Sequence, residues 1–426
     1  VQELKNSSFS FFFFLMKRIV ILGAGFGGVY TALYLLKLLK PQDQVEVLLI
    51  SKTNYFLFSP MLHEVATGGL NRSNIVQPIR EILRHPRFSF IRCTVKEINV
   101  QKKTITTDKI SLSYDYLVIA LGAENEFFGI PGAEEHALPL KSLQDAVAIR
   151  NHVLDVLERS AALLKIKKQN PDLSFAIVGA GPTGVELAGE LAEFIDQNLR
   201  VNYPDLGRFG RKIHLIQKGS AIMPFIGEHC RQDALKKLVK EKVTVMTNAA
   251  VTRVAKGAVE INGKRKIPAA TTIWASGVKP VALQTVQKIT DERGFFPINE
   301  YLQVKGAENV YALGDCALLI NPKDNKPVPA LAQVAVKEAK ILAQNMLNDM
   351  KGQPLQPFIY KHSGLLISVG KRFAVAEIHG IKFKGFFAWW LWRTIYLTKL
   401  VGFRNKLQVA YDWTLNLFFP RDTTQI

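Results

Sequence analysis

Apolar and polar positions follow one pattern twice along the chain. Lys17-Arg18-Ile19-Val20-Ile21-Leu22 is a short, nearly continuous apolar run, which predicts a buried strand. The glycine-rich stretch Gly23-Ala24-Gly25-Phe26-Gly27-Gly28 follows, and apolar residues then recur at helical spacing from Val29 to Leu39. The second copy starts with the strand Ser174-Phe175-Ala176-Ile177-Val178, passes through Gly179-Ala180-Gly181-Pro182-Thr183-Gly184, and enters a helical stretch from Val185 to Phe194. Further apolar runs at Val45 to Ile50, Phe88 to Val95, Tyr116 to Gly122 and Lys212 to Ile216 predict strands, and Leu143 to Lys168 predicts a long helix. Strand and helix patterns that alternate in this way imply two doubly wound α/β sheets. The turn at Pro131-Gly132 and the segment Gly294-Phe295-Phe296-Pro297 mark a crossing into the second sheet and a return from it.

No stretch reaches the roughly 18–20 uninterrupted apolar residues that span a bilayer. Gly385 to Trp392 is the richest run, and Arg393 closes it. The chain begins Val-Gln-Glu and carries a four-phenylalanine run at Phe11 to Phe14. No basic cluster precedes that run and no small-residue cleavage site follows it, so it does not read as a secretory signal. Met16 opens directly into the first strand. The expectation is that translation starts there and that residues 1–15 are a misassigned extension.

The length of 426 residues suggests two or three domains. The three cysteines, Cys93, Cys230 and Cys316, form no CxxC pair, which excludes a disulfide scaffold, a cysteine zinc site and a vicinal redox dithiol. No His/Asp/Glu cluster has metal-ligand spacing. Lys and Arg number 55 against 36 acids, a net charge of +19 that calls for an anionic partner or surface. The clusters Lys165-Lys167-Lys168, Lys236-Lys237-Lys240 and Lys264-Arg265-Lys266 lack interleaved aromatics and read as solvated faces rather than a nucleic-acid site.

The paired glycine patterns carry the chemistry. Each matches GxGxxG between a strand and a helix, the context of a dinucleotide cradle. The first glycine permits the turn, the second lets backbone approach a pyrophosphate, and the third lets the helix close on the strand. The helix N-terminus then offers unpaired N–H groups to the phosphates. Two cradles imply two dinucleotides, most economically a flavin and a nicotinamide. The acid expected at the end of each second strand is missing. Ser51 stands in the first copy, and Gln217, followed by Lys218, in the second. Both still hydrogen-bond a ribose, and the missing charge at Gln217 predicts tolerance of NADPH beside NADH.

These residues resemble the type II, non-proton-pumping NADH:quinone oxidoreductases over nearly the whole chain from Met16. The resemblance rests on the two cradles, Asn54 through Gly68, Pro78-Ile79-Arg80, Tyr116 through Gly122, Thr272 through Val278, Tyr311-Ala312-Leu313-Gly314-Asp315-Cys316-Ala317, and Ala332-Gln333-Val334-Ala335. It implies a glutathione-reductase-like flavoprotein with two Rossmann-like domains and a C-terminal helical, membrane-anchoring tail. The implied division is an FAD-binding domain at 16–140 and 293–378, an inserted NAD(P)H-binding domain at 141–292, and a membrane-association segment at 379–426. FAD contacts are implied at Gly23, Gly25, Phe26, Gly27, Gly28, Ser51, Lys52, Val95, Ala120, Gly122, Gly314, Asp315, Ala332 and Gln333. NAD(P)H contacts are implied at Gly179, Gly181, Pro182, Thr183, Gly184, Glu186, Gln217, Ala275, Ser276 and Gly277. Gln333 is implied on the quinone side, with Lys337 standing where the family has a second Gln. Glu186 is the implied catalytic residue near the nicotinamide and flavin. Its plain alternative is an acid in the first helical turn, favoured there by the helix dipole. Cys316 and Cys93 read as small buried hydrophobes. The rival activities are a flavin reductase with a soluble acceptor, of ferredoxin-reductase or apoptosis-inducing-factor type, and a non-catalytic redox-sensing flavoprotein.

The tail changes the composition. Residues 380–421 hold seven Lys or Arg, one acid (Asp412) and twelve aromatics, among them Trp389, Trp390, Trp392 and Trp413. Rings beside cations suit the boundary between water and an anionic bilayer. If Leu407 to Phe419 is helical, Gln408, Asp412 and Asn416 form one polar stripe. The composition predicts an anionic lipid surface as partner, and the resemblance implies a membrane quinone and peripheral attachment at the cytoplasmic face of the cell (inner) membrane. A homodimer interface is the alternative use of the tail.

Overall fold

In a computed structural model, residues 16–361, 364–378 and 380–425 are described; the expectation about residues 1–15 lies outside them. The chain divides into two units with breaks after Leu57, Val76, Glu124, Gly277 and Lys361.

Unit 1 comprises the chain up to Leu57 together with 77–124 and 278–361. Its main sheet has five strands in the order Val310–Ala312, Tyr116–Ile119, Lys17–Leu22, Val45–Ser51 and Phe88–Arg92. All neighbours run parallel, with Leu22 paired to Ile50 and to Ile119. Ile19, Val20, Ile21 and Leu22 are fully buried, which explains why this strand reads as continuous rather than alternating: a parallel sheet is covered on both faces. The helices Phe26–Leu38 and Ala332–Met350 pack against each other. The run expected as one strand from Phe88 to Val95 is two strands, Phe88–Arg92 and Val95–Asn99, and the backbone N–H of Cys93 between them bonds to Ser51 O.

Unit 2 comprises 58–76, 125–277 and 362 onward. Its five-stranded parallel sheet has the order Ala137–Pro139, Thr271–Trp274, Ser174–Val178, Lys212–Ile216, Val243–Met246. The helix after the second cradle is Pro182–Val201, longer than the Val185 to Phe194 expected. Pro182 starts it inside the glycine segment, at a first-turn position where its missing N–H costs nothing. A capping box between Ser142 and Asp145 opens the Leu143–Lys167 helix, and Lys168 ends it in the left-handed conformation. The C-terminal part is a three-stranded antiparallel sheet (Leu365–Ser368, Ala374–Ile378, Ile381–Lys384) followed by the helices Gly385–Lys399 and Phe403–Phe418. Among the described residues no helix is long and apolar enough to cross a membrane.

Candidate functional site

The two cradles have the same backbone. Gly23 and Gly179 hold φ of +103° and +102°, and a Cβ on Gly23 would stand 2.2 Å from Ala120 O. A Cβ on Gly28 would meet Gly23 O at 1.9 Å, and one on Gly184 would meet Gly179 O at 1.9 Å, so each third glycine lets the helix close on the turn. The middle glycines, Gly25 and Gly181, face open space within 4 Å and carry the N-cap position of helices that no side chain caps. An approachable backbone at an uncapped helix N-terminus suits a pyrophosphate. Both cradles therefore fit a dinucleotide. The residues expected to hold FAD all lie in unit 1, and those expected to hold NAD(P)H all lie in unit 2.

The ends of the second strands are built differently. Ser51 is buried, and its Oγ accepts the Thr53 N–H at 3.3 Å. Gln217 Oε1 accepts the Ala180 N–H at 2.9 Å, so this side chain braces the cradle turn itself. A carboxylate could accept the same bond but would add a charge.

Gly314–Cys316 is a single 3-10 turn with Gly314 at φ +72°. Its middle residue, Asp315, is half-buried. The Cys316 thiol bonds to Leu313 O at 3.5 Å and Ile119 O at 3.6 Å, and burial pushes it up to about 12. All three cysteines are buried and unbridged, so no disulfide chemistry is available to them. Behind this turn lies a residue not found from sequence. Glu338 is 4% exposed, and its Oε2 accepts the Gly314 N–H at 2.8 Å. Burial, then the nearby Asp315, push its carboxyl up to about 7 against that hydrogen bond. The available signal was a single acid on the apolar face of Val334, Ala335, Ala339 and Leu342. Gln333 is half-buried and Lys337 exposed, four residues apart on the same helix.

Glu186 is not a first-turn acid. It is the fifth residue of its helix, 8% exposed, and turned into the protein. Its Oε1 accepts the Ser368 N–H at 3.3 Å, and its Oε2 is 3.7 Å from His63 Nδ1. Burial holds its carboxyl well above the usual range, with Glu64 and Glu190 adding to the effect and the Ser368 N–H opposing it. Glu190 and Glu193 follow on the same helix face, and together these acids form a buried polar cluster that the sequence reading missed. Glu190 Oε2 pairs with Arg421 Nη2 at 2.6 Å, and Arg421 also donates to Thr67 O and Oγ1 at 3.2 Å. Trp413 Nε1 donates to Glu64 Oε2 at 2.6 Å. Burial raises Glu64 to about 7 despite the nearby Arg393. The Arg393 guanidinium lies 3.8 Å from the Trp389 ring centre and 4.8 Å from that of Trp413.

These contacts correct the reading of the tail. Trp389, Trp392 and Trp413 are core residues, and Trp390 alone of the four faces outward. Arg393 and Arg421 are internal partners rather than surface cations. The polar stripe also faces inward: Asp412 accepts from the Asn71 N–H at 3.1 Å and from Asn74 Nδ2 at 2.7 Å, and Asn416 Nδ2 donates to Gly69 O at 2.7 Å. Asn405 Nδ2 adds a bond to Val76 O at 2.7 Å. The opposite face exposes Phe403 (76%), Leu407 (56%), Tyr411 (64%) and Phe418 (77%). The last helix thus turns Asn405, Asp412 and Asn416 toward the protein beside the buried Val409 and Trp413, and leaves large apolar side chains on its outer face.

Residues 17–339 match the pyridine nucleotide-disulphide oxidoreductase family, and residues 362–422 match the NDH2 C-terminal domain. A probable NADH dehydrogenase of Dictyostelium discoideum is 33% identical, over 95% of this chain and 90% of that one. The type II NADH:quinone oxidoreductase Ndh of Mycobacterium tuberculosis is 30% identical, over 95% of this chain and 89% of that one. The structure of NDH2 from Plasmodium falciparum in complex with NADH superposes with a TM-score of 0.88 at 25% identity, covering 96% of this chain and 99% of that one. With both cradles, the Gly-Asp turn and the C-terminal helices in place, the chain belongs to the type II NADH:quinone oxidoreductases, FAD-dependent members of the pyridine nucleotide-disulphide oxidoreductases.

Proposed function

We infer that this protein oxidises NADH through FAD and reduces a quinone, without moving protons across the membrane. The observation that carries this reading is the pair of complete cradles, one in each unit, in a chain that also holds the C-terminal domain of quinone-reducing relatives. FAD, when bound, supplies a centre that takes two electrons together and passes them on. The chain supplies binding and electrostatics. Gly23, Gly25, Phe26, Gly27 and Gly28 receive the flavin pyrophosphate, with Ser51, Lys52, Val95, Ala120, Gly122, Gly314, Asp315, Ala332 and Gln333 along the rest of that cofactor. Gly179, Gly181, Pro182, Thr183, Gly184, Gln217, Ala275, Ser276 and Gly277 receive the nicotinamide dinucleotide. Glu186, buried and with its carboxyl held well above the usual range, is the acid of the site. Gln333 and Lys337 both carry donors suited to a quinone carbonyl. We assign the segments 16–140 and 293–378 to FAD, 141–292 to NADH and 379–426 to membrane association; by contacts, 278–292 group with unit 1, and 58–76, 125–140 and 362–378 with unit 2.

The test is purified protein given NADH and short-chain ubiquinone or menaquinone analogues, with the bound flavin identified. The expected result is quinone-dependent NADH oxidation by FAD-loaded protein. Flavin-loaded protein that reduced a ferredoxin or another soluble acceptor but no quinone would overturn the reading.

The Gln217 site gives a cofactor prediction. With no carboxylate there and Lys218 adjacent, the 2′-phosphate of NADPH meets no repulsion. Gln217→Glu keeps an acceptor for the Ala180 N–H but adds a charge, and is expected to raise discrimination against NADPH by about tenfold or more in kcat/KM. Equal discrimination in both proteins would refute it.

We further place the exposed ridge of Phe403, Leu407, Tyr411 and Phe418 in the headgroup region of an anionic membrane at the cytoplasmic face. The size of the exposed apolar surface supports this, as do the outward Trp390 and the exposed Lys382, Lys399 and Arg404 nearby. A second copy of the chain is the competing occupant. Each large apolar side chain removed from the ridge is expected to cost about 2 kcal/mol of partitioning, about thirtyfold in vesicle affinity. Sedimentation of Leu407→Glu and Phe418→Glu with phosphatidylglycerol vesicles measures it, and undiminished binding would point to the homodimer instead.

A further inference from the structure

Oxidation of one NADH by one quinone consumes one proton from solution, because NADH delivers a hydride and the departing quinol carries two added hydrogens. That proton has to reach a buried acid, and Glu186 has a second titratable side chain beside it. We propose that His63 is the proton partner of Glu186, taking a proton at Nε2 and passing one from Nδ1 to the Glu186 carboxylate each time that carboxylate has given up its own. This rests on the reading of Glu186 as the acid of the quinone reductase.

Four observations support the assignment. His63 Nδ1 and Glu186 Oε2 are 3.7 Å apart, and their side chains are only 3% and 10% exposed. The Ser368 N–H engages the other carboxylate oxygen, Oε1, and leaves Oε2 toward the imidazole. His63 Nε2 is buried and, among the described residues, has no hydrogen-bond partner, while Nδ1 is the ring nitrogen that faces Glu186. The His63 ring lies 5.9 Å from that of Trp392, which helps bury it.

The electrostatics set the direction. Glu64, Glu190, Glu193, Arg393, Arg421 and Tyr396 are the ionisable groups around the pair. Burial lowers His63 to about 4, with Glu190 opposing that shift and Arg421 adding to it, so the resting imidazole is neutral; burial pushes the Glu186 carboxyl the other way, well above its usual range. When Glu186 releases its proton, a bare carboxylate stands 3.7 Å from the ring and stabilises imidazolium. Once Glu186 has given its proton to the quinone being reduced, the ring gains a proton at Nε2 and gives the one at Nδ1 to the carboxylate. This leaves the Nε2–H tautomer, and exchange of that proton through water back to Nδ1 resets the ring for the next turnover. One proton enters and one leaves, no electrons move, and the pair returns to zero net charge. Two distinct ring nitrogens let histidine take a proton on one side and give one on the other.

The test compares His63→Phe and His63→Gln with wild type in stopped-flow half-reactions, using NADH and a short-chain quinone. Flavin content and thermal unfolding serve as controls for folding. Wild type is measured first: if it reduces no quinone, the functional reading fails and the His63 assignment is not what was refuted. The expected result is an unchanged rate of flavin reduction by NADH. Quinone reduction should be slower by about tenfold or more, with its alkaline limb moved to lower pH, a larger solvent isotope effect, and partial rescue of His63→Phe by added imidazole. The double variant with Glu186→Gln should lose no more than Glu186→Gln alone. If flavin-loaded His63→Gln keeps the wild-type quinone rate, pH profile and isotope effect, His63 is only a packing residue. Should His63→Phe fail to fold, His63→Gln alone decides.

Discussion

Arg421→Met is expected to destabilise the fold by about 3–5 kcal/mol at neutral pH, because it strands a buried carboxylate. Glu190 and Arg421 are each 10% exposed or less at the side chain, and their 2.6 Å ion pair bridges residues 231 positions apart in the chain. Burial by itself would raise the Glu190 carboxyl. Arg421 leads the groups that more than offset this and hold it below its ordinary value. The sign follows. A carboxyl lowered in the folded state contributes stability above its unfolded pKa and loses it as pH falls through the lower folded value. In Arg421→Met that lowering is gone, and Glu190 takes a proton instead. Urea unfolding should therefore show a wide gap between wild type and variant at pH 7 that narrows toward acid pH. The double variant Glu190→Gln/Arg421→Met should recover part of the loss, since it leaves no bare charge behind. A constant gap across pH would mean that Arg421 acts through packing alone.

The second large effect falls on the cradles. In Gly28→Ala the new methyl would overlap Gly23 O at 1.9 Å, and a backbone oxygen inside a turn cannot step aside. The helix must shift, and purified Gly28→Ala is expected to contain little or no FAD. Gly184→Ala makes the same overlap with Gly179 O in the other unit. It should keep its flavin but lose NADH efficiency by about a hundredfold in kcat/KM, the scale expected when a binding element moves by about 1 Å. Flavin absorbance per chain and steady-state kinetics separate the two cases. A Gly184→Ala protein that lost FAD, or a Gly28→Ala protein that kept it, would break the assignment of one cradle to each cofactor.

Parts of the site differ in how far they were legible. The cradles were legible because strand, turn and helix are contiguous, and the glycines are required by contacts within the same few residues. The close approach of Gly28 to Gly23 is an example. The Gly314-Asp315 turn was legible for the same reason. Glu338, which holds that turn from 24 residues away, was not. Glu186 was found through resemblance, but its setting was misjudged: a helix-terminal acid and a buried acid look alike until Ser368 and His63 arrive from elsewhere in the chain.

The tail shows the limit most clearly. Its composition correctly marks an unusual surface, because aromatic and apolar residues exceed what a helix pair can bury. It does not tell which residues face which way. Trp413 is internal because Glu64, 349 residues earlier, accepts its indole N–H, and Asp412 faces inward because Asn71 and Asn74 meet it. The sequence by itself determined the two dinucleotide cradles, the α/β class and the family, since these depend on steric and hydrogen-bonding rules acting over a few neighbouring residues. Only the tertiary structure decided which side chains of the last helix turn inward and the buried acid cluster with its His63 partner. A charge or ring is internal only if distant segments supply the bond that offsets its desolvation.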